Sequence, residues 1–131
     1  MLAATATVAL PMTAAWVTIE APARVAPGAR FRLEARARNL SAVTWERAGE
    51  GRVALDVLVV DQNGNPWPRP PRPTPPAYPV PPGGATTFRV ELAAPDIPGR
   101  YNVLVGVATI RKGKVTLIDM PPMKSALEVT Q

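Results

Sequence analysis

The 131-residue sequence contains no cysteine and no histidine. It therefore cannot form a disulfide, use a Cys or His nucleophile, build a His-dependent catalytic triad or hold zinc through the usual nitrogen and sulfur ligands. Ligation of haem iron by His or Cys is excluded for the same reason. Because neither disulfides nor thiols are present, the sequence does not indicate a reducing or an oxidising compartment.

Other groups that carry out catalysis are also scarce. The two serines, Ser41 and Ser125, have no histidine to act as a base, and the ten Asp and Glu residues form no recognisable acid–base motif. No glycine-rich phosphate loop occurs. We therefore predict that the protein is not an enzyme and that it has no catalytic, cofactor-binding or metal-binding residues.

One stretch, residues 61–65, is similar to the start of a calcium-binding loop. Such a loop needs Gly at its sixth position and Glu at its twelfth, whereas here Gly64 is the fourth residue and Arg72 is the twelfth. An Asn-Gly pair directly after a strand is typical of a tight turn, so we predict a turn here.

Helical periodicity is absent, and alternation with a period of two takes its place. Pro or Gly interrupts nearly every stretch, and no window of about a dozen residues shows a 3.6-residue period. About seven short strands at roughly ten-residue spacing predict a sandwich of two antiparallel sheets. The predicted strands are residues 15–20, 29–39, 52–61, 86–93, 100–110, 114–119 and 125–130.

Two of these strands carry further information. Residues 52–61 are apolar on both faces, which predicts a strand that is central or partly covered. Residues 29–39 are half-buried, and four arginines share their polar face. We interpret this stripe either as a solvated face with cross-strand ion pairs or as a secondary contact for an acidic protein surface. No aromatic residues are interleaved with it, so a nucleic-acid partner is not expected. The stripe consists of Arg30, Arg32, Arg36 and Arg38.

The string VAPGARFRLEARARNLSAVTW, residues 25–45, resembles the opening of bacterial immunoglobulin-like sandwich domains. Residues 80–83 (VPPG) are similar to the second V-x-P-G of those domains, and residues 94–101 (APDIPGRY) to their entry into the penultimate hairpin. The resemblance covers about residues 22–130 and implies an immunoglobulin-like domain over residues 21–131. It leaves the function open, because such sandwiches serve many roles. Trp45 and Tyr101 are expected in the core or at its rim.

Proline is over-represented: there are 17 prolines, where an average usage of about 5% predicts roughly seven. Ten of them lie in residues 66–82. Because proline cannot donate to a β-ladder, we predict a long, extended and solvated loop rather than a core strand. Aromatic rings and guanidinium groups make this loop a candidate protein-binding surface, and a stiff loop without a partner is the alternative. Its candidate partner-binding residues are Trp67, Arg69, Arg72 and Tyr78.

Residues 1–20 are predicted to form an extended N-terminal arm or the first strand. No Lys or Arg precedes Arg24, so the positive region of a signal peptide is missing, although a degenerate or trimmed signal remains an alternative. The apolar run is too short and too polar to span a bilayer. An apolar strand must pair, either within its own sandwich or at the edge of a neighbour's sheet. The candidate partner-binding residues of this arm are Leu2, Val8, Leu10 and Trp16.

These features favour a small, non-enzymatic subunit that decorates or cements a larger assembly, such as a phage capsid or tail. Such a subunit is located on the virion or on a particle assembled in the cytoplasm, it contacts protein partners, and it is compatible with a homo-oligomer. The alternative is a secreted or surface-attached accessory domain that binds protein or glycan through the Pro-rich loop. A cytoplasmic chaperone-like or adaptor module is a third interpretation. The Arg-rich and amide-poor composition is compatible with a thermostable protein.

Overall fold

The computed structural model describes residues 12–68, 72–118 and 123–131. The secondary-structure elements of these ranges are all β-strands, which confirms the predicted all-β class. Each of the seven predicted strands coincides with an observed one, and a two-residue strand between Pro22 and Pro27 is additional. The strands are β1 (Ala14–Glu20), β2 (Arg24–Val25), β3 (Arg30–Asn39), β4 (Arg52–Asp61), β5 (Ala85–Ala93), β6 (Gly99–Arg111), β7 (Lys114–Leu117) and β8 (Met123–Val129).

The strands form two sheets that face each other across one core. One sheet has the order β1-β3-β5, and the other has the order β2-β8-β6-β4 with β7 also paired to β6. All pairings are antiparallel except the short one between β2 and β8. The first part of the chain is therefore shared between the two sheets: β1 belongs to one and β2 to the other. Pro22 lies at the crossing, where a residue without an N–H cannot continue the first ladder.

The core follows from the alternation of the central strands. On β3, the apolar residues predicted to point inward are buried and the residues between them are exposed or half-buried. Each fully buried Val, Leu or Phe contributes about 1.5–3 kcal/mol relative to exposure. Trp45 is completely buried, as expected, and Tyr101 is buried as well. The largest core side chains of the two sheets are Phe88, Leu33, Leu55, Val53, Val103, Val105, Val107 and Val129.

The long strand β6 organises the second sheet. Because β4 pairs with β6 along Tyr101–Ile110, β7 and β8 must share the opposite edge of β6. A two-residue turn connects β6 to β7, and its residues have positive φ, 50° at Lys112 and 75° at Gly113. These angles are those of a type I′ turn, whose twist matches a β-hairpin. The hairpin predicted at this point is confirmed.

Asn39 ties three segments together at one end of the sandwich. It is completely buried, and its Nδ2 donates to the carbonyl oxygens of Val43 and Val80, both at 2.9 Å. Its Oδ1 accepts a bond of 2.8 Å from the backbone N–H of Ser41. The Ser41 Oγ in turn accepts from the N–H of Thr13 and donates to its carbonyl oxygen. These bonds fix the loop after β3, the end of the Pro-rich segment and the start of β1.

Candidate interaction surfaces

The acidic side chains of the described residues are candidates for metal ligands, turn residues and titratable groups. No group of three or more His, Cys, Asp and Glu in this part of the chain could hold a metal ion. The Oδ1 of Asp61 accepts hydrogen bonds from the N–H groups of Asn63 and Asn65, each at 2.9 Å, which confirms the predicted turn. Asp56 lies half-buried on the outer face of β4, and burial raises the pKa of its carboxyl group.

The Pro-rich segment, residues 66–82, is described at residues 66–68 and 72–82, and it contacts the outer edge of β4 at two places. Leu55 and Thr74 exchange two backbone hydrogen bonds of 2.7 and 3.0 Å, and the Trp67 N–H donates to the Val59 carbonyl oxygen at 2.7 Å. Pro68 and Pro73, next to these contacts, have no N–H to offer to a further strand, so the described residues of the segment protect this edge of the sheet at both places. The prediction that β4 is partly covered is confirmed. The prediction that the segment is solvated throughout is wrong, because Pro76 is buried in it.

The candidate residues of the Pro-rich segment have different surroundings. Trp67 packs against the core, and its ring meets the ring of Tyr101 edge to face, with centroids 6.3 Å apart. Tyr78 is 61% exposed, and Arg72 is exposed as well. Arg69 lies outside the described residues. Trp67 therefore anchors the segment, and Tyr78 and Arg72 are available on the surface. Their role as partner contacts stays a prediction.

The Tyr101 ring that contacts Trp67 is itself fixed by a hydrogen bond of its hydroxyl group. The Tyr101 hydroxyl donates to the Ile97 carbonyl oxygen at 2.7 Å, four residues earlier in the chain. This bond is the tyrosine corner of immunoglobulin-like sandwiches, in which a Tyr near the start of the penultimate strand bonds back to the upstream backbone. Burial raises the pKa of the Tyr101 hydroxyl, and the nearby carboxylates of Asp61 and Asp96 raise it further.

The candidate residues of the N-terminal arm are described only in part. Trp16 lies in β1, is half-buried and packs against the core. Leu2, Val8 and Leu10 lie outside the described residues, and their predicted role in partner binding stays a prediction. In the part of the chain that is described, no helix has the length and hydrophobicity that crossing a bilayer requires.

A stripe of arginines covers the outer face of β3, as predicted. All four side chains of the Arg row, as we call this set, belong to exposed residues. The ion pairs among the described residues are Arg24–Glu128 and Arg89–Glu34, so no carboxylate in this part of the chain lies within 4.0 Å of a guanidinium nitrogen of the row. Among the described residues, the predicted cross-strand ion pairing on this face is found between Glu34 of β3 and Arg89 of β5, and it includes no member of the row. The Arg row consists of Arg30, Arg32, Arg36 and Arg38.

Two members of the Arg row are held in place by neutral acceptors. The Arg36 guanidinium donates to the Thr87 hydroxyl at 3.1 Å, and the Arg38 guanidinium donates to the Gly83 carbonyl oxygen at 2.7 Å. A guanidinium has five N–H donors, so one such bond leaves the others free for a further acceptor. The two charges are thus oriented but not neutralised.

A cleft of about 550 Å³ on the second sheet was not indicated by the sequence. Its floor is formed by the first residues of β6 and the last residues of β8, and the Arg24–Glu128 ion pair of 2.9 Å crosses it. The pairing of Arg100 with Glu128 that brings these residues together joins strands far apart in the sequence. No local pattern could have predicted it.

No protein-family model and no curated protein sequence matches this chain. Solved structures do match it. It resembles the CARDB domain of the PF1109 protein from Pyrococcus furiosus in complex with di-metal ions, at 13% identity and a TM-score of 0.57, over 91% of this chain and 89% of that chain. It also resembles the C-terminal domain of Wzt, at 14% identity and a TM-score of 0.64, over 90% of this chain and 74% of that one.

A further match is part of a much larger protein. The β-glucosidase from Listeria innocua in complex with glucose matches at 14% identity and a TM-score of 0.56, over 92% of this chain but only 16% of the enzyme. At such identities the likeness shows the fold alone. The fold is an immunoglobulin-like β-sandwich, which confirms the predicted architecture.

Proposed function

We propose that this chain is a non-enzymatic interaction domain that docks on an acidic protein surface. The single observation that carries the proposal is the Arg row, four exposed arginines on one face of β3 with no carboxylate of the described residues within 4.0 Å of their guanidinium groups. Alternate residues of a strand are about 6.6–6.8 Å apart, so the row presents two pairs of positive charges along β3, with Glu34 between the pairs. Partner carboxylates at a matching spacing would form charge-assisted and bidentate hydrogen bonds with it.

The surroundings of the row support a protein partner. The face also contains Glu34, which pairs with Arg89 at 3.1 Å, and Glu91 on β5. A mixed face with an excess of positive charge selects a partner by the position of its charges as well as by their sign. The net charge of +5 adds electrostatic attraction for an acidic partner at long range.

The finer proposal is that this domain is a small subunit attached to a larger assembly, such as a phage capsid or tail, and is located on that particle. Its support is the sequence: a single sandwich preceded by an uncharged, apolar segment that must find a strand to pair with. Decoration of a particle requires a protein surface to dock on, and the Arg row is the surface that we propose for this contact.

The test uses the full chain and a fluorescein-labelled oligoglutamate peptide as the acidic probe. Fluorescence anisotropy at low salt gives the dissociation constant for the wild type and for the double variant R36Q/R38Q. The control is K114Q/K124Q, which removes the same two charges from the other sheet. We expect R36Q/R38Q to bind about tenfold more weakly, equivalent to about 1.4 kcal/mol, and the control to change less than about twofold.

Added salt should weaken the wild-type complex, because the Debye length falls to about 10 Å at 0.1 M ionic strength. Equal weakening in both double variants would mean that net charge alone is responsible and would overturn the proposal. A single-stranded oligonucleotide that bound more tightly than the peptide, through the same two arginines, would overturn the choice of a protein partner. Thermal unfolding of each variant verifies that the fold is unchanged.

A second candidate function rests on Tyr78, whose side chain is 61% exposed on the Pro-rich segment. An exposed aromatic ring with Arg72 nearby in sequence suits a secreted or surface-attached domain that binds protein or glycan. Screening the full chain and its Tyr78→Ala variant against an array of glycans tests this. Binding that is lost in the variant would favour this function, and the absence of any binding to the array would reject its glycan form.

A further inference from the structure

The exposed strand edges of this sandwich differ in their protection. The β1 edge has an irregular register between Trp16 and Thr18, and the β4 edge is covered by the Pro-rich segment. At the far edge of the second sheet, β7 has four residues and β8 is partly covered by β2. Bulges, prolines, short strands and covering segments are the usual devices that prevent edge-to-edge pairing.

The free edge of β5 shows none of these four devices in the part of the chain that the structure describes. The strand has nine residues that pair with β3 in one unbroken register, from Arg30–Ala93 to Arg38–Ala85. It contains no proline, and no described residue pairs with its outer side. A long, regular edge of this kind is a template for an additional strand.

The register between β3 and β5 shows which residues of β5 direct their backbone N–H and C=O groups to the free edge. The Asn39 N–H donates to the Gly84 carbonyl oxygen, and the Ala94 N–H donates to the Ala29 carbonyl oxygen. In an antiparallel ladder, residues that bond to the partner alternate with residues whose N–H and C=O point away from it. The even-numbered residues of β5 therefore bond to β3, and the odd-numbered ones point to the free edge. The residues that offer their backbone groups are Ala85, Thr87, Arg89, Glu91 and Ala93.

A notch lined by apolar residues and by Asp96 lies beside the end of this edge. It has a volume of about 290 Å³, and Trp67 and Pro68 form one wall opposite Ala93 and Ala94. A strand added to β5 would therefore place apolar side chains from one of its faces next to this notch. The apolar part of this lining favours an extended segment with apolar residues on one of its faces.

The N-terminal sequence has that pattern. Residues 2–10 are nine residues long, like β5, and contain no charged side chain. Their even positions are Leu, Ala, Ala, Val and Leu, whereas Thr5 and Thr7 stand at odd positions. We propose that residues 2–10 of a second copy of this chain add as a strand to the free edge of β5, with Val8 and its even-numbered neighbours on the side of the notch.

The reach of the chain favours a second copy over the same copy. The segment leaves from β1, and the place beyond β5 is three strand spacings away, about 14 Å. Pairing along β5 as far as Ala93 takes about a further 27 Å, at about 3.4 Å per residue. The eleven residues before Met12 extend at most about 36–40 Å, less than the roughly 41 Å required. Donation between copies is head-to-tail, so it builds rings or open chains.

The test measures the mass of the full chain by sedimentation velocity over about a hundredfold range of concentration. The wild type should exceed the monomer mass of 13.9 kDa as concentration rises. Glu91→Pro removes an N–H that points to the free edge, and Glu91→Ala is its control because it keeps that N–H. On the donor side, Val8→Asp places a charge on the apolar face, and Thr7→Asp places it on the other face. We expect the Pro and Val8 variants to stay monomeric and both controls to associate.

Mixing the two monomeric variants gives the sharpest result. Glu91→Pro retains a normal donor and Val8→Asp retains a normal acceptor edge, so an equimolar mixture should form a one-to-one complex and nothing larger. A wild type that stays at the monomer mass throughout, or an association that survives both changes, would overturn the proposal. If Glu91→Pro fails to fold, Val8→Asp and Thr7→Asp decide alone: equal association of the two would overturn it. The outcome is separable from peptide binding by the Arg row through Val8→Asp and Thr7→Asp, because neither residue belongs to the face that carries the row.

Discussion

Replacing Asn39 by Ala should destabilise the sandwich more than any surface substitution. The change removes three hydrogen bonds, to Val43, Val80 and Ser41, from a side chain with no exposed surface. At about 1 kcal/mol for each bond, the free energy of unfolding should fall by about 3 kcal/mol. The cost rises toward about 5 kcal/mol if the backbone groups left behind find no water.

The assay is urea unfolding of the wild type and the variant, followed by tryptophan fluorescence, to which Trp45, buried near this end of the sheet, contributes together with Trp16 and Trp67. In a chain of this length, about 3 kcal/mol corresponds to a melting temperature lower by roughly 10 °C. Asn102→Ala is the matched control, because Asn102 is half-buried on β6 and makes no side-chain hydrogen bond that the structure shows. It should change stability by less than about 0.5 kcal/mol.

A loss below about 1 kcal/mol in Asn39→Ala would refute this reasoning, because it would mean that the three segments are held together by packing alone. An equal loss in Asn102→Ala would refute it as well. The slope of the unfolding free energy against urea must stay the same in both variants, since a changed slope indicates a change in the unfolded state or a departure from two-state behaviour.

Three further predictions concern single side chains. Tyr101→Phe should lower the unfolding free energy by about 1 kcal/mol at pH 7. Because the pKa of Tyr101 is raised in the folded state, the unfolded state ionises first and wild-type stability falls as pH rises above about 10. Denaturant titrations should therefore show that the difference in unfolding free energy between wild type and variant becomes smaller above that pH. The raised pKa of Asp56 means that the wild type loses stability as pH rises through its titration, so Asp56→Asn should raise the melting temperature at pH 7 and not at pH 3; an equal shift at both would contradict this. Trp67→Ala should lower the unfolding free energy by about 3 kcal/mol or more because the Trp67 ring packs on Tyr101, whereas Tyr78→Ala should lower it by less than about 0.5 kcal/mol. Calorimetry of the two variants measures whether Trp67 anchors the segment and Tyr78 lies on the surface.

Much of the fold could be predicted because its signals are local. The alternation of residues 29–39 depends only on which side chains share a face of a strand, and the structure buries that same apolar set in β3. The turn at residues 61–65 and the hairpin at Lys112 depend on the backbone preferences of a few consecutive residues. The Arg row follows from the same alternation, so its position on one face could be predicted before any contact was known.

The role of the Pro-rich segment could not be predicted in the same way. Composition indicated correctly that it is not a core strand, but its contact with β4 joins Thr74 to Leu55 through a register that no local pattern encodes. Trp67 and Tyr78 are equivalent aromatic candidates in the sequence. Only the tertiary structure distinguishes them, because the Tyr101 ring is 34 residues away from Trp67 in the chain and meets it in space.

The sequence by itself determined the all-β class, the places of the strands, the charged face of β3 and the lack of Cys and His chemistry, because each depends on residue type and short-range periodicity. The tertiary structure decided the order of the strands, the splitting of the first segment between two sheets, and which strand edges other described residues pair with. Those properties depend on pairings between distant residues, whose free energy comes from burying side chains together and not from the preference of any one segment.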